Sequence, residues 1–127
     1  MTAASTFHVS HKACHAPLVI ALHCSGGSGR QWRNLAERLD DSCRFIAPDL
    51  IGAPGGGTWT GAGAFHLADE AVGILEMIDH HDGPVHLVGH SYGGGLALHI
   101  AATRPDRLAS LSLYEPSAFP PAARAGL

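Results

Sequence analysis

What the chain lacks narrows it first. It has no long apolar run: the longest, Leu18 to Leu22, is far too short to span a bilayer, and Met1 to His15 hold no stretch of the kind a secretory signal needs. A soluble cytoplasmic protein with no membrane partner is expected. No charge of one sign dominates either. Eight Lys and Arg against 11 Asp and Glu give a net charge of -3, with the basic residues scattered, so nothing forms the electrostatic footprint of a nucleic-acid binder. Cysteine is scarce and odd in number. Cys14, Cys24 and Cys43 match no disulfide framework, zinc ribbon or finger, and reduced thiols are expected. Charged residues make up only 15% of the chain, against 46% hydrophobic residues and 16 glycines. That balance excludes disorder through the middle and favours an α/β fold, whose parallel strands need apolar runs because they are buried on both faces. A chain of 127 residues is expected to form one core.

What is present is an alternation of short apolar runs and longer periodic segments, the order that predicts parallel strands joined by helical crossovers. Leu18 to Leu22 is the first strand, followed by the glycine-rich loop His23 to Gly29. A helix is expected from about Arg30 to Leu39, with Trp32, Leu35, Ala36 and Leu39 on one face. Cys43 to Ala47 forms the second strand, ended by Pro48. The segment Gly52 to Gly63 is loop, and a helix from about Ala64 to His80 follows, carrying Leu67, Ala71, Ile74, Leu75 and Ile78 as a stripe. Val85 to Val88 is the third strand, a helix bearing Leu96, Ile100 and Ala101 comes after residue 93, and Leu111 to Tyr114 is the fourth strand. The expected architecture is a doubly wound, mostly parallel sheet with helices on both faces. There is no internal repeat.

The strongest chemical signal is Gly89-His90-Ser91-Tyr92-Gly93, a G-x-S-x-G run between an apolar strand and a periodic helix. A tight strand-to-helix turn leaves no room for side chains beside the serine, hence glycine at Gly89 and Gly93, and it pushes Ser91 into the open. The helix start places backbone N–H groups, that of Tyr92 first, and the positive end of the helix dipole where an anionic intermediate would form.

The run Leu87 to Gly95 resembles the nucleophile elbow of the α/β-hydrolase family. Leu22 to Gly29, through Trp32, is similar to that family's histidine-glycine oxyanion loop, and Ile46 to Gly52 resembles the exit of its next strand. Together they span roughly residues 17 to 119 in the family's order, leaving residues 1 to 16 as an N-terminal segment and 120 to 127 as the start of a cap or tail. Cys24 stands where the family usually has glycine, and the second oxyanion donor corresponds to the Ser25 N–H. The resemblance implies a triad in the chain order serine, acid, histidine, with Ser91 as nucleophile. In the family the histidine follows the last strand, and no histidine occurs after His99. The expectation is therefore an N-terminal half, truncated before the last strands, without the catalytic histidine and with little activity of its own. Glu115, directly after the fourth strand, is either the acid or a residue that hydrogen-bonds the elbow. The family more often uses an aspartate after a later strand, which is also absent.

Other residues carry plainer alternatives. His90 is expected to shape the substrate pocket or to pack, because its side chain points away from the serine on such a turn; His23 and Cys24 are expected at the pocket, with His23 orienting the oxyanion loop by hydrogen bonding. His8, His11, Cys14 and His15 have spacings that suggest a soft-metal site, but no carboxylate or supporting partner accompanies them, so no metal is assigned. His80-His81-Asp82 reads as a solvated helix end. The glycines at 55–57, 61 and 63 complete no phosphate loop, and no nicotinamide, flavin or ATP cofactor is indicated. Two functions follow: a hydrolase acting on an ester, thioester or related acyl bond of a small molecule, or a non-catalytic fragment that binds a small apolar ligand or a partner chain. The resemblance also implies that epoxide hydrolases and dehalogenases of this fold carry aspartate at the elbow, so Ser91 argues against both. A sheet ending at the fourth parallel strand exposes an edge, so self-association is expected.

Overall fold

The computed structural model describes the backbone of residues 6–8 and residues 16–117 in full. Residues 11, 14 and 15 of the histidine and cysteine cluster, the side chain of His8, and the 120–127 tail lie outside it. Five strands form one sheet: β1 (Thr6–His8), β2 (Leu18–Leu22), β3 (Arg44–Pro48), β4 (Val85–His90) and β5 (Leu108–Tyr114). Their order is β1-β3-β2-β4-β5, with β1 antiparallel to β3 and every other pair parallel. The helices are α1 (Arg33–Arg38), entered through a 3-10 turn at Gly29–Trp32, α2 (Leu67–Asp79) and α3 (Tyr92–Thr103).

Each strand sorts its side chains by period two. Leu18, Ile20 and Leu22 of β2 face one way and join Val85 and Leu87 of β4 against Ile74 and Ile78 of α2 and Leu96 and Ile100 of α3. Val19 and Ala21 face the other way and pack with Phe45, Ala47 and Ala36 of α1. The sheet is thus covered on both faces over β2 and β3, as the apolar runs require. Several elements start elsewhere than the sequence pattern places them: α1 begins at Arg33, behind the 3-10 turn, and β3 runs from Arg44 to Pro48 instead of starting at Cys43 and stopping before the proline. The second helix begins at Leu67, because Asp69 Oδ2 accepts the His66 N–H at 2.7 Å and closes the first turn there. The last strand begins at Leu108, three residues before the apolar alternation does, pairing with Val85 through an irregularity between Val85 and His86.

The topology decides where a site can sit. From β2 the chain runs outward to β3 on one side and returns to β4 on the other, so the connections leaving β2 and β4 cover opposite faces of the sheet. A crevice opens between the C-terminal ends of two such strands, and open α/β sheets bind ligands there. No helix among the described residues is long and apolar enough to cross a membrane. Cys24 and Cys43 are thiols.

Candidate active site

Ser91 occupies the turn between β4 and α3 with φ 54° and ψ -115°, a backbone state that costs about 1–3 kcal/mol for a non-glycine residue and persists only when the surroundings enforce it. The surroundings do. A Cβ at Gly89 would run into the Gly93 carbonyl, and one at Gly93 into the Leu22 carbonyl of the neighbouring strand. The Ser91 N–H donates to Tyr114 O at 3.1 Å, and the Ser117 N–H donates to Ser91 O at 2.9 Å. Pro116 closes over Gly94. The elbow is therefore clamped by the turn that follows β5.

That turn contains Glu115, the other non-glycine residue with positive φ among the described residues, at 44°. Its side chain is exposed, and the bonds that hold the elbow come from Tyr114 and Ser117 instead. Ser91 Oγ lies 3.5 Å from Ser117 Oγ. The Tyr92 N–H stands in the first turn of α3, where helix geometry supplies no intrahelical acceptor.

On the other side of the crevice, the loop leaving β2 is held by two ties. His23 is buried; its Nδ1 donates to Cys24 O at 2.7 Å, and its Nε2 accepts the Leu50 N–H at 2.9 Å. The two bonds fix the neutral Nδ1–H tautomer. The second tie is Gln31, whose Oε1 accepts the Cys24 N–H at 3.0 Å while its Nε2 donates to His90 Nδ1 at 2.6 Å. His90 also stacks on Tyr114, with ring centroids 4.8 Å apart. His90 thus braces the strand ends and does not line the cleft between the His23–Gly27 loop and Tyr92. That cleft, of about 300 Å³, is lined by His23, Ser25, Ile51 and Tyr92, among others. A larger groove of about 910 Å³ lies between α2 and the loop around Trp59, sharing Leu50 and Ile51 with the cleft.

One group in this region was invisible to motif reading. Glu70, on the inner stripe of α2, is only 5% exposed. Its Oε1 accepts the Tyr92 hydroxyl at 3.1 Å and its Oε2 accepts the Ile51 N–H at 2.9 Å. Burial pushes the Glu70 carboxyl above its ordinary value, against the opposing pull of the Ile51 and Tyr92 donors. Burial, then the adjacent carboxylate, pushes the Tyr92 phenol up as well. Gln31 and Ser117 also escape sequence reading. For Glu70 alone a signal existed, a charged residue three positions after Leu67 and four before Ile74 in an apolar stripe. Among the described residues, no group of three or more His, Cys, Asp or Glu side chains is placed to hold a metal ion.

Residues 17–125 match the family model described as the alpha/beta hydrolase fold. A lipase of Mycobacterium tuberculosis, LipV, is 37% identical over 103 residues, covering 78% of this chain, and a haloalkane dehalogenase of Mesorhizobium japonicum is 33% identical over 112 residues, covering 87%. The chain spans 37% of the lipase's length and 36% of the dehalogenase's. Among solved structures, a thioesterase domain from the curacin biosynthetic pathway superposes with a TM-score of 0.73 at 29% identity, over 88% of this chain and 43% of that one.

Proposed function

Because the chain belongs to the α/β-hydrolase fold family, we propose that it is the nucleophile-bearing part of a serine hydrolase that cleaves an ester, thioester or related acyl bond of a small molecule. The observation that carries this is the strained, clamped Ser91 at the start of α3, opposite the Ser25 loop. In the reaction, Ser91 Oγ attacks the acyl carbon and gives its proton to a general base. The carbonyl oxygen becomes an oxyanion held by the Tyr92 and Ser25 N–H groups at the positive end of the helix. Collapse expels the alcohol or thiol, which takes the proton from the base, and water repeats the sequence to release the acid.

Serine at the elbow supports acyl transfer over carbon–halogen displacement, even though a dehalogenase is among the relatives. Three observations support a base from outside the described residues. Both nitrogens of His23 are engaged by Leu50 and Cys24, His90 faces Gln31, and the side-chain partner of Ser91 Oγ is Ser117. Glu115, at the end of the strand beside β4, is our candidate for the acid that would orient that base. The thiols Cys24 and Cys43 support work in a reducing compartment such as the cytosol.

The test is fluorophosphonate labelling of the chain with and without added imidazole, using Ser91→Ala as control. A serine hydroxyl is a weak nucleophile without a base at hand, so labelling should be slow, accelerate by about tenfold or more with imidazole, and vanish in the control. Labelling that ignores imidazole or survives Ser91→Ala contradicts the reading.

A second reading, binding of a partner strand, is supported by β5, whose residues from Ala109 onward are all exposed, Tyr114 to 61%. It is compatible with the first, since a partner could cover that edge.

A further inference from the structure

The two N–H groups assigned to the oxyanion lie on separate elements, and one continuous set of hydrogen bonds joins those elements. From Tyr92 the phenol donates to Glu70 Oε1; Glu70 Oε2 accepts the Ile51 N–H; the adjacent Leu50 N–H donates to His23 Nε2; and His23 Nδ1 donates to Cys24 O, one residue before Ser25. Every link lies between 2.7 and 3.1 Å. Glu70 is the one side chain in this set that touches both walls of the cleft, the Tyr92 wall and the Ile51 wall. We propose that Glu70 is a positioning residue that holds the two halves of the oxyanion hole, Tyr92 and Ser25, in register across the crevice. The proposal rests on Ser91 being the nucleophile.

Three features support the assignment. A carboxylate accepts two donors at once on its two oxygens, whereas an amide accepts on one and presents its own donors on the other, so neither glutamine nor an apolar residue can reproduce the bridge. Burying a carboxyl is costly, and its raised pKa records that cost, so the core alone would be better served at this stripe position by leucine. Finally, both tethered donors serve the site: Tyr92 is the residue after the nucleophile, and Ile51 directly follows Leu50, whose N–H makes the His23 tie. Glu70 reaches no reacting atom; it acts through Tyr92 and through the 50–51 peptide, so its loss should leave probe binding intact and slow the step in which the oxyanion forms.

The experiment measures the fluorophosphonate reaction of the 127-residue chain in imidazole buffer, separating the maximal rate of labelling from the probe concentration at half-maximum, for wild type, Glu70→Gln, Tyr92→Phe and the double variant. Misplacing a preorganised group by about 1 Å can cost on the order of 100-fold, so Glu70→Gln should lower the maximal rate by about tenfold or more with half-maximal concentration little changed. Tyr92→Phe, which removes one hydroxyl and keeps the ring in the core, should lower it by less, and the double variant should be no slower than Glu70→Gln alone. If Glu70→Gln does not fold, Tyr92→Phe carries the test by itself, since a purely structural hydroxyl would leave the rate unchanged. Wild-type maximal rates in the folded variants, or single effects that multiply in the double variant, overturn the proposal while leaving the nucleophile in place. A folded wild-type chain whose labelling is not at Ser91 overturns the nucleophile reading and this proposal with it.

Discussion

Ser91 and Glu115 end adjacent parallel strands, and both hold a backbone state that non-glycine residues avoid. The strain at Ser91 is maintained by neighbours with no space to give. Gly93→Ala should therefore force the elbow open against the Leu22 carbonyl, costing about 3 kcal/mol, read as a lowered midpoint in urea unfolding with an unchanged slope; an unshifted midpoint would show that the turn has room. Glu70 makes a second residue-level prediction. Its folded-state pKa is raised above 4.5, so the native chain binds that proton more tightly than the unfolded chain does, and its contribution is most favourable below the ordinary carboxylate value and is lost as pH rises through the raised one. The thermal midpoint of wild type relative to Glu70→Gln should accordingly fall as pH rises from about 4.5; a difference that rises or stays flat would contradict the assignment. At this scale the nucleophile is legible because its requirements are local, a serine between glycines at a strand-to-helix junction. Glu70 shows only as a charge inside an apolar stripe, and Gln31 and Ser117 not at all, because the partners of the three lie 22, 59 and 26 residues away in sequence and only the folded topology brings them together.

Elements follow the apolar pattern where packing decides them and depart from it where hydrogen bonds do. β2 and β4 sit in the middle of the sheet, and their runs are continuous enough to locate them within a residue or two. β5 begins in the stretch Leu108-Ala109-Ser110, where Leu108 packs against the core while Ala109 and Ser110 are exposed, so no apolar alternation marks its start; its Ser110 Oγ bonds His86 Nδ1 at 2.7 Å. β1 is three residues long and antiparallel at the sheet edge, too short for periodicity to register. The fully buried Leu87 of β4 offers a check on the core that carries the elbow. Leu87→Ala should destabilise by about 2–5 kcal/mol, measured by denaturant unfolding, and a loss under about 1 kcal/mol would mean the sheet does not pack against α2 and α3 as described.

For the whole molecule, the covered part of the sheet is β3, β2 and β4, and the uncovered part is β5. Leu111, Leu113 and Tyr114 present apolar surface beside an unpaired strand edge among the described residues, the arrangement that invites strand pairing. Size-exclusion chromatography with light scattering should show mass rising with concentration, and Leu113→Lys should suppress it; a concentration-independent monomer would contradict an adhesive edge. The two relatives are more than twice as long as this chain, so what these residues can test is the nucleophile rather than a complete catalytic cycle. The most direct measurement is to treat the folded chain with a p-nitrophenyl ester in imidazole buffer, quench in acid, and locate the acyl group by peptide mass mapping. An acyl group on Ser91, and none after Ser91→Ala, is the expected result; acylation confined to Cys24 or to histidines, unchanged in that variant, would rule out Ser91 as the nucleophile.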